Sequence, residues 1–174
     1  MSVAKMSTRK LQDVGRAEGV NPSLLRCTQR FGRLPDALLE RVARGSECLL
    51  IPAGNTIFTQ DDGADAVYLL LDGGVRLEHR ETDGGVVKYH VVGPHASFGD
   101  VSLLGEPRRY YTASTDARSI VIRTPLTLLR EALIANPDLA QAWIHAVTSD
   151  LERRGHVLAH SVRHVITSPA YDAA

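Results

Sequence analysis

The chain has no surplus of charge of either sign: 20 Lys and Arg stand against 20 Asp and Glu among 174 residues. Nonspecific nucleic-acid binding needs extra cations to displace counterions from phosphate, so this balance argues against it while leaving room for a local basic pocket. Cysteine is nearly absent. Cys27 and Cys48 have neither metal-site nor redox-motif spacing, and two reduced thiols in a cytoplasmic setting are expected. No apolar stretch follows Met1, and no run approaches the roughly 20 apolar residues that span a bilayer, so neither a leader nor a membrane span is expected. The sequence also has no Gly-x-Ser-x-Gly elbow, His-Glu-x-x-His helix or Walker loop, and catalysis is not expected.

What is present is ordinary globular material, 44% hydrophobic and 23% charged, enough for one core-forming domain and an appended element. Residues 1–22 read as a polar N-terminal arm, frayed or forming a short helix through Leu11, Val14 and Ala17. Pro35 to Arg44 has helical spacing, with Leu38, Leu39 and Val42 on one side. From Cys48 the period shortens. CLLIPAGNTIFTQ, AVYLLLDGGVRLEHR, VVKYHVVG and YYTASTDARSIVIR are β-rich runs separated by turn chemistry such as Asp72-Gly73-Gly74, Asp83-Gly84-Gly85 and Gly93-Pro94. Val75, Leu77 and His79 alternate with Arg76, Glu78 and Arg80, as in a half-buried strand. Turns this frequent point to a mainly β fold with flanking helices, a sandwich or jelly roll, over residues 23–136.

The pattern is helical again from Thr124-Pro125 to about Ala135, and Asn136-Pro137 breaks it. Residues 137–167 read as one long helix. Ile144, Leu151, Leu158 and Val165 recur every seven residues with Val147 and Val162 between them. Such a stripe suits a homodimeric two-stranded coiled coil, or packing on the chain's own β domain. Residues 168–174 read as a disordered tail. His156, His160 and His164 share one helix face, but no acidic or cysteine ligand completes a metal site beside them, and no metal is expected.

Several elements occur together in a telling order. Pro52-Ala53-Gly54, Ile57-Phe58, Gln60, Asp62, Ala64-Asp65, Tyr68 and Gly73 precede SFGDVSLLGEPRR and TDARSIVIR. This order resembles the cyclic-nucleotide-binding domains of catabolite-activator-type regulators and kinase regulatory subunits, over about Leu24 to Leu158. The resemblance implies a double-stranded β-helix with a C-terminal dimerisation helix. It also implies a phosphate-binding cassette in which helix-start amides and one arginine hold a cyclic phosphate while a carboxylate holds a ribose hydroxyl.

On that resemblance Phe98, Gly99, Val101 and Ser102 open the cassette, and Asp100 stands where the family has a longer glutamate. The arginine is Arg109 counting from Gly99, or Arg108 counting back from Thr115-Asp116. Tyr110 and Tyr111 replace the small residues that usually follow, and would either fill the pocket or stack on a different ligand. The implied ligands are cyclic AMP, cyclic GMP or cyclic di-GMP, sensed by a stand-alone regulatory module acting on a protein partner. The alternatives are a ligand-free interaction module with a blocked pocket, and a sensor of another cofactor such as heme. Relatives that read DNA continue into a helix-turn-helix after the long helix; only a short stretch follows Val165, so direct DNA binding is not expected.

Overall fold

The computed structural model describes residues 14–80, 86–105 and 107–153. Its β strands are β1 (Gly15–Glu18), β2 (Glu47–Ile51), β3 (Thr56–Phe58), β4 (Ala66–Asp72), β5 (Val75–Arg80), β6 (Val86–Val92), β7 (Ser97–Phe98), β8 (Thr112–Thr115) and β9 (Ser119–Pro125). They form two antiparallel sheets, ordered β1-β2-β9-β4-β7 and β3-β8-β5-β6, the jelly roll expected from the turn-rich middle of the chain and the double-stranded β-helix that the resemblance implies.

Side-chain alternation divides the core in two. On β4, Ala66, Tyr68 and Leu70 point between the sheets, where they meet Leu49, Ile51, Phe58, Val75, Leu77, Phe98 and Val121. Val67 and Leu69 point the other way, under the helices. Both faces of β4 are therefore buried, which is why AVYLLL lacks a polar alternation. Val75 and Leu77 are buried on β5, as their spacing predicts. Gly73 turns β4 into β5 at φ +96°, and a Cβ there would lie 2.6 Å from the Arg118 carbonyl. The Asp83-Gly84-Gly85 hairpin lies outside the described residues, although β5 and β6 pair from Val75↔Val92 to Glu78↔Tyr89.

The helical layer comprises α1 (Pro22–Arg26), α2 (Asp36–Arg44), α3 (Leu126–Ile134) and α4 (Pro137–Arg153), with a 3-10 turn at Phe31–Arg33. Asn21 caps α1 by accepting the Ser23 amide at 3.0 Å, and Pro22 suits the first turn, where no amide partner is needed. Leu25, Phe31, Leu39, Val42, Leu129, Trp143, Val147 and Leu151 bury their side chains together against the first sheet. Among the described residues no helix is long and apolar enough to cross a membrane.

One expectation changes. Gly15–Glu18 is neither a frayed arm nor a helix but an edge strand, with Gly15 paired to Leu50 and Glu18 to Glu47. Its side chains are all exposed, so backbone pairing rather than apolar burial holds it. Of the apolar stripe on α4, Val147 and Leu151 pack within the domain at 1% and 2% exposure, one of the two arrangements its spacing allows, while Ile144 stays 38% exposed. Leu158, Val162, Val165 and the histidine stripe lie outside the described residues.

Candidate functional site

The residues of SFGDVSLLG form one continuous device. β7 pairs with β4 through Tyr68↔Phe98, and the chain leaves the sheet at Gly99, whose φ of +75° is left-handed. A Cβ on Gly99 would meet Arg109 Nη1 at 2.8 Å and the Phe58 and Tyr68 rings at 3.4 Å, so only glycine fits this close approach. Asp100–Leu104 then make a 3-10 turn, ended by Gly105 at φ +97°. The buried Ser102 hydroxyl donates to the Gly99 carbonyl at 2.8 Å. Val101 packs toward both core clusters, and Leu103 and Leu104 pack toward the helices.

The two candidate arginines part company here. The 107–109 segment pairs its backbone with the 61–64 loop: Arg109 N donates to the Asp62 carbonyl at 2.8 Å, Asp61 N to the Arg109 carbonyl at 2.8 Å, and Ala64 N to the Pro107 carbonyl at 2.8 Å. Neighbours along an extended segment face opposite sides. Arg108 is exposed and donates to the Asp61 carbonyl at 3.2 Å. Arg109 is 3% exposed, inside the roll, beside Gly99. Its Nη1 donates to the Gly99 carbonyl at 3.1 Å and its Nη2 to Asp65 at 3.0 Å, and its guanidinium lies 4.3 Å from the centre of the Phe58 ring. Its Nε is buried with no acceptor among the described residues.

Tyr110 and Tyr111 diverge for the same reason. Tyr110 stacks on His79 with ring centres 4.3 Å apart. Tyr111 is buried and completes a group of rings with Phe58, Tyr68 and Phe98. Its hydroxyl accepts the Gly99 amide at 3.4 Å.

Asp100 is the clearest departure from the resemblance, which implies a carboxylate reaching for a ribose hydroxyl. Here Asp100 is 2% exposed and turned toward the helical layer, where it pairs with Arg30 and accepts from the Ser97 hydroxyl at 3.0 Å. Arg30 also pairs with Asp150 on α4, and donates to Ser97 Oγ at 2.6 Å and to the Ala146 carbonyl at 3.4 Å. A carboxylate this deeply buried must be paired.

At the outer edge of the roll, Asp65 holds both Arg109 and Arg123, the latter at 2.6 Å. Burial alone would raise the Asp65 carboxyl, but the hydrogen bond and charge of Arg123, with Arg109 behind it, outweigh that and hold it below the usual range. Burial pushes the Tyr68 hydroxyl upward, opposed by Arg109 and Arg123. Sequence reasoning assigned no role to Arg30, Asp65 or Asp150. Asp65 lies in the Ala64-Asp65 step that carries the resemblance, which was the one available signal.

Two facing antiparallel sheets, a glycine-entered short helix and one buried arginine beside it define a β-roll domain. A family model for the cyclic nucleotide-binding domain matches residues 49–136, just over half of the chain. The chain belongs to that family. It is 24% identical over 108 residues to the CRP-like cAMP-activated global transcriptional regulator of Mycobacterium tuberculosis, covering 62% of this chain and 48% of the relative. The chain thus spans about half the length of the curated relatives it first matches. A crystal structure from Geobacter metallireducens GS-15, provisionally described as a cyclic nucleotide-binding protein, is 31% identical with a TM-score of 0.66; the alignment covers 79% of this chain and 99% of that one. The sensor domain of the transcriptional regulator DNR from Pseudomonas aeruginosa shares the fold at a TM-score of 0.67 and 23% identity, over 76% of this chain and 89% of that one.

Proposed function

We propose that this domain is a non-catalytic regulatory sensor that takes an anionic ligand of cyclic-nucleotide type at its cassette and signals through its C-terminal helices. The observation that carries the reading is Arg109, a permanently charged side chain buried beside Gly99 whose Nε–H has no acceptor among the described residues. A desolvated cation with an unused donor favours an anion, and a guanidinium meets phosphate with a charge-assisted fork. Arg109 is the phosphate residue in this reading, and Arg108 lies outside the cradle. With Asp100 committed to Arg30, ligand affinity rests on Arg109, the Gly99 turn and the surrounding rings rather than on a ribose contact.

Calorimetric titration of the full chain with cyclic AMP, cyclic GMP and cyclic di-GMP tests the reading. Saturable heat with one of the three, abolished or strongly weakened in Arg109→Lys, is the expected result, because lysine keeps the charge and loses the fork. The reading includes a homodimer formed through the C-terminal helix, supported by the half-exposed Ile144; light scattering distinguishes the 18.9 kDa monomer from its double.

One observation favours a second reading, a ligand-free interaction module. The Tyr111 hydroxyl already takes the Gly99 amide, and its ring fills space beside the cassette. Heats no larger than dilution for all three nucleotides would favour this module over the sensor.

A further inference from the structure

Arg30 stands on neither the cassette nor the C-terminal helix, yet it binds both. One guanidinium nitrogen pairs with Asp100 at the start of the cassette turn, and the other pairs with Asp150 on α4. The Arg30 side chain is 10% exposed, Asp100 3% and Asp150 24%, so the network is largely shielded from solvent. Two carboxylates share one fork. Weakening either pair changes how the guanidinium is held by the other, because a buried charge without its counterion is expensive to maintain. The same nitrogen that reaches Asp100 donates to Ser97 Oγ at 2.6 Å, and the one that reaches Asp150 donates to the Ala146 carbonyl at 3.4 Å. Arg30 is thereby stitched into β7 on one side and into α4 on the other.

The surroundings leave room for this fork to shift. A cavity of about 190 Å³ lies against it, lined by Thr28, Gln29, His95, Ser97 and Asp150 among others. Directly after Arg30, Phe31 packs edge-on against Trp143 of α4 with ring centres 5.1 Å apart. The chain's sole tryptophan therefore stands beside this network and serves as its reporter.

We propose that Arg30 is a positioning residue that couples the cassette to α4, so that the placement of Asp100 sets how firmly the C-terminal helix is held against the β-roll. The inference deepens the sensor reading, since it supplies a route from cassette to helix. The coupling itself exists with or without a nucleotide ligand.

The test needs no ligand, so failure of anion binding and failure of this coupling are read separately. Asp100→Asn is made in the full chain, and acrylamide quenching of Trp143 and hydrogen exchange along 137–153 are followed. Asp100 is on the cassette and Trp143 on α4, yet Asp100→Asn is expected to raise both the quenching and the exchange, the latter by about fivefold or more. In an Arg30→Met background, where the same change removes a carboxylate already lacking its cation, no further rise in quenching or exchange is expected. If Arg30→Met does not fold by far-UV circular dichroism, Asp150→Asn serves as the second background, because it weakens the α4 side of the fork and leaves the Asp100 pair in place. Reciprocity requires Asp150→Asn by itself to speed exchange of amides 99–104. A Trp143 signal indifferent to Asp100→Asn would overturn the proposal. An equal response with and without the intact fork would overturn it too, since that is what mere loss of stability produces.

Discussion

Tyr111 and Gly99 share a hydrogen bond across the mouth of the cassette: the tyrosine hydroxyl accepts the glycine amide at 3.4 Å. That amide stands at the start of the cassette turn, where a bound anion would be met. The contact makes the tyrosine an internal competitor for the position. Tyr111→Phe keeps the ring and removes the competitor. Its expected effect on unfolding free energy is within about 1 kcal/mol, the net worth of one such bond. Cyclic AMP affinity is expected to rise roughly two- to tenfold by calorimetry. An unchanged or weaker affinity would show that the hydroxyl does not stand in the ligand's way.

Arg30→Met is expected to lower stability by about 3–5 kcal/mol, because it leaves Asp100 buried without its cation and removes the Asp150 pair. Urea titration followed by circular dichroism measures this. A loss below about 1 kcal/mol would place the pair among weak surface bridges.

The Asp65 carboxyl is held below its unfolded value by Arg123 and Arg109, against the opposing effect of burial. Its contribution to stability is therefore complete above the unfolded value near about 3.9 and disappears as pH falls through the lower folded value. Melting temperatures measured between pH 5 and pH 2, roughly the window a depressed aspartate controls, should fall less steeply for Asp65→Asn than for the native chain. Parallel curves would exclude Asp65 as a contributor to acid unfolding.

Leu129 and Ile134 lie on the same helix, α3, with opposite fates: one is fully buried and the other is 80% exposed. Leu129→Ala should cost about 2–5 kcal/mol, and Ile134→Ala should fall within about 0.5 kcal/mol of the native chain. Thermal denaturation of both variants checks the assignment. Comparable losses would mean that the exposed isoleucine is covered in solution.

Much of this architecture was legible because local rules and long-range packing agree in it. The alternation from Val75 to Arg80 and the apolar run of β4 report faces that are buried as they predict. Residues 15–18 escaped notice because Gly-Arg-Ala-Glu carries no apolar alternation; its strand exists only because β2 offers an unpaired edge. Adjacent arginines could not be separated by counting from motifs at either end. What separates them is the backbone ladder to residues 61–64, which turns Arg109 inward and Arg108 out. Asp100 was read by its place in a motif, but its counterion Arg30 comes from a turn remote in sequence, and only the Ser97 hydroxyl is local. Val147 and Leu151 fit a coiled-coil seam and a domain core equally well by spacing alone, and Phe31 decides by offering Trp143 and its neighbours a surface to cover.

The edge strand and the helices that precede β2 also bear on where the domain can be cut. The family match begins at residue 49, inside β2, and ends at residue 136, before α4. Leu25, Phe31, Leu39 and Val42 on one side of that segment, and Trp143 and Val147 on the other, interlock over the same sheet face. A fragment trimmed to the recognisable portion would expose Val67, Leu69 and Ile122 to water and lose Arg30 altogether. The smallest autonomous unit is therefore expected to be larger than the segment the family model matches, with boundaries set by two flanks that meet each other rather than by the roll they enclose.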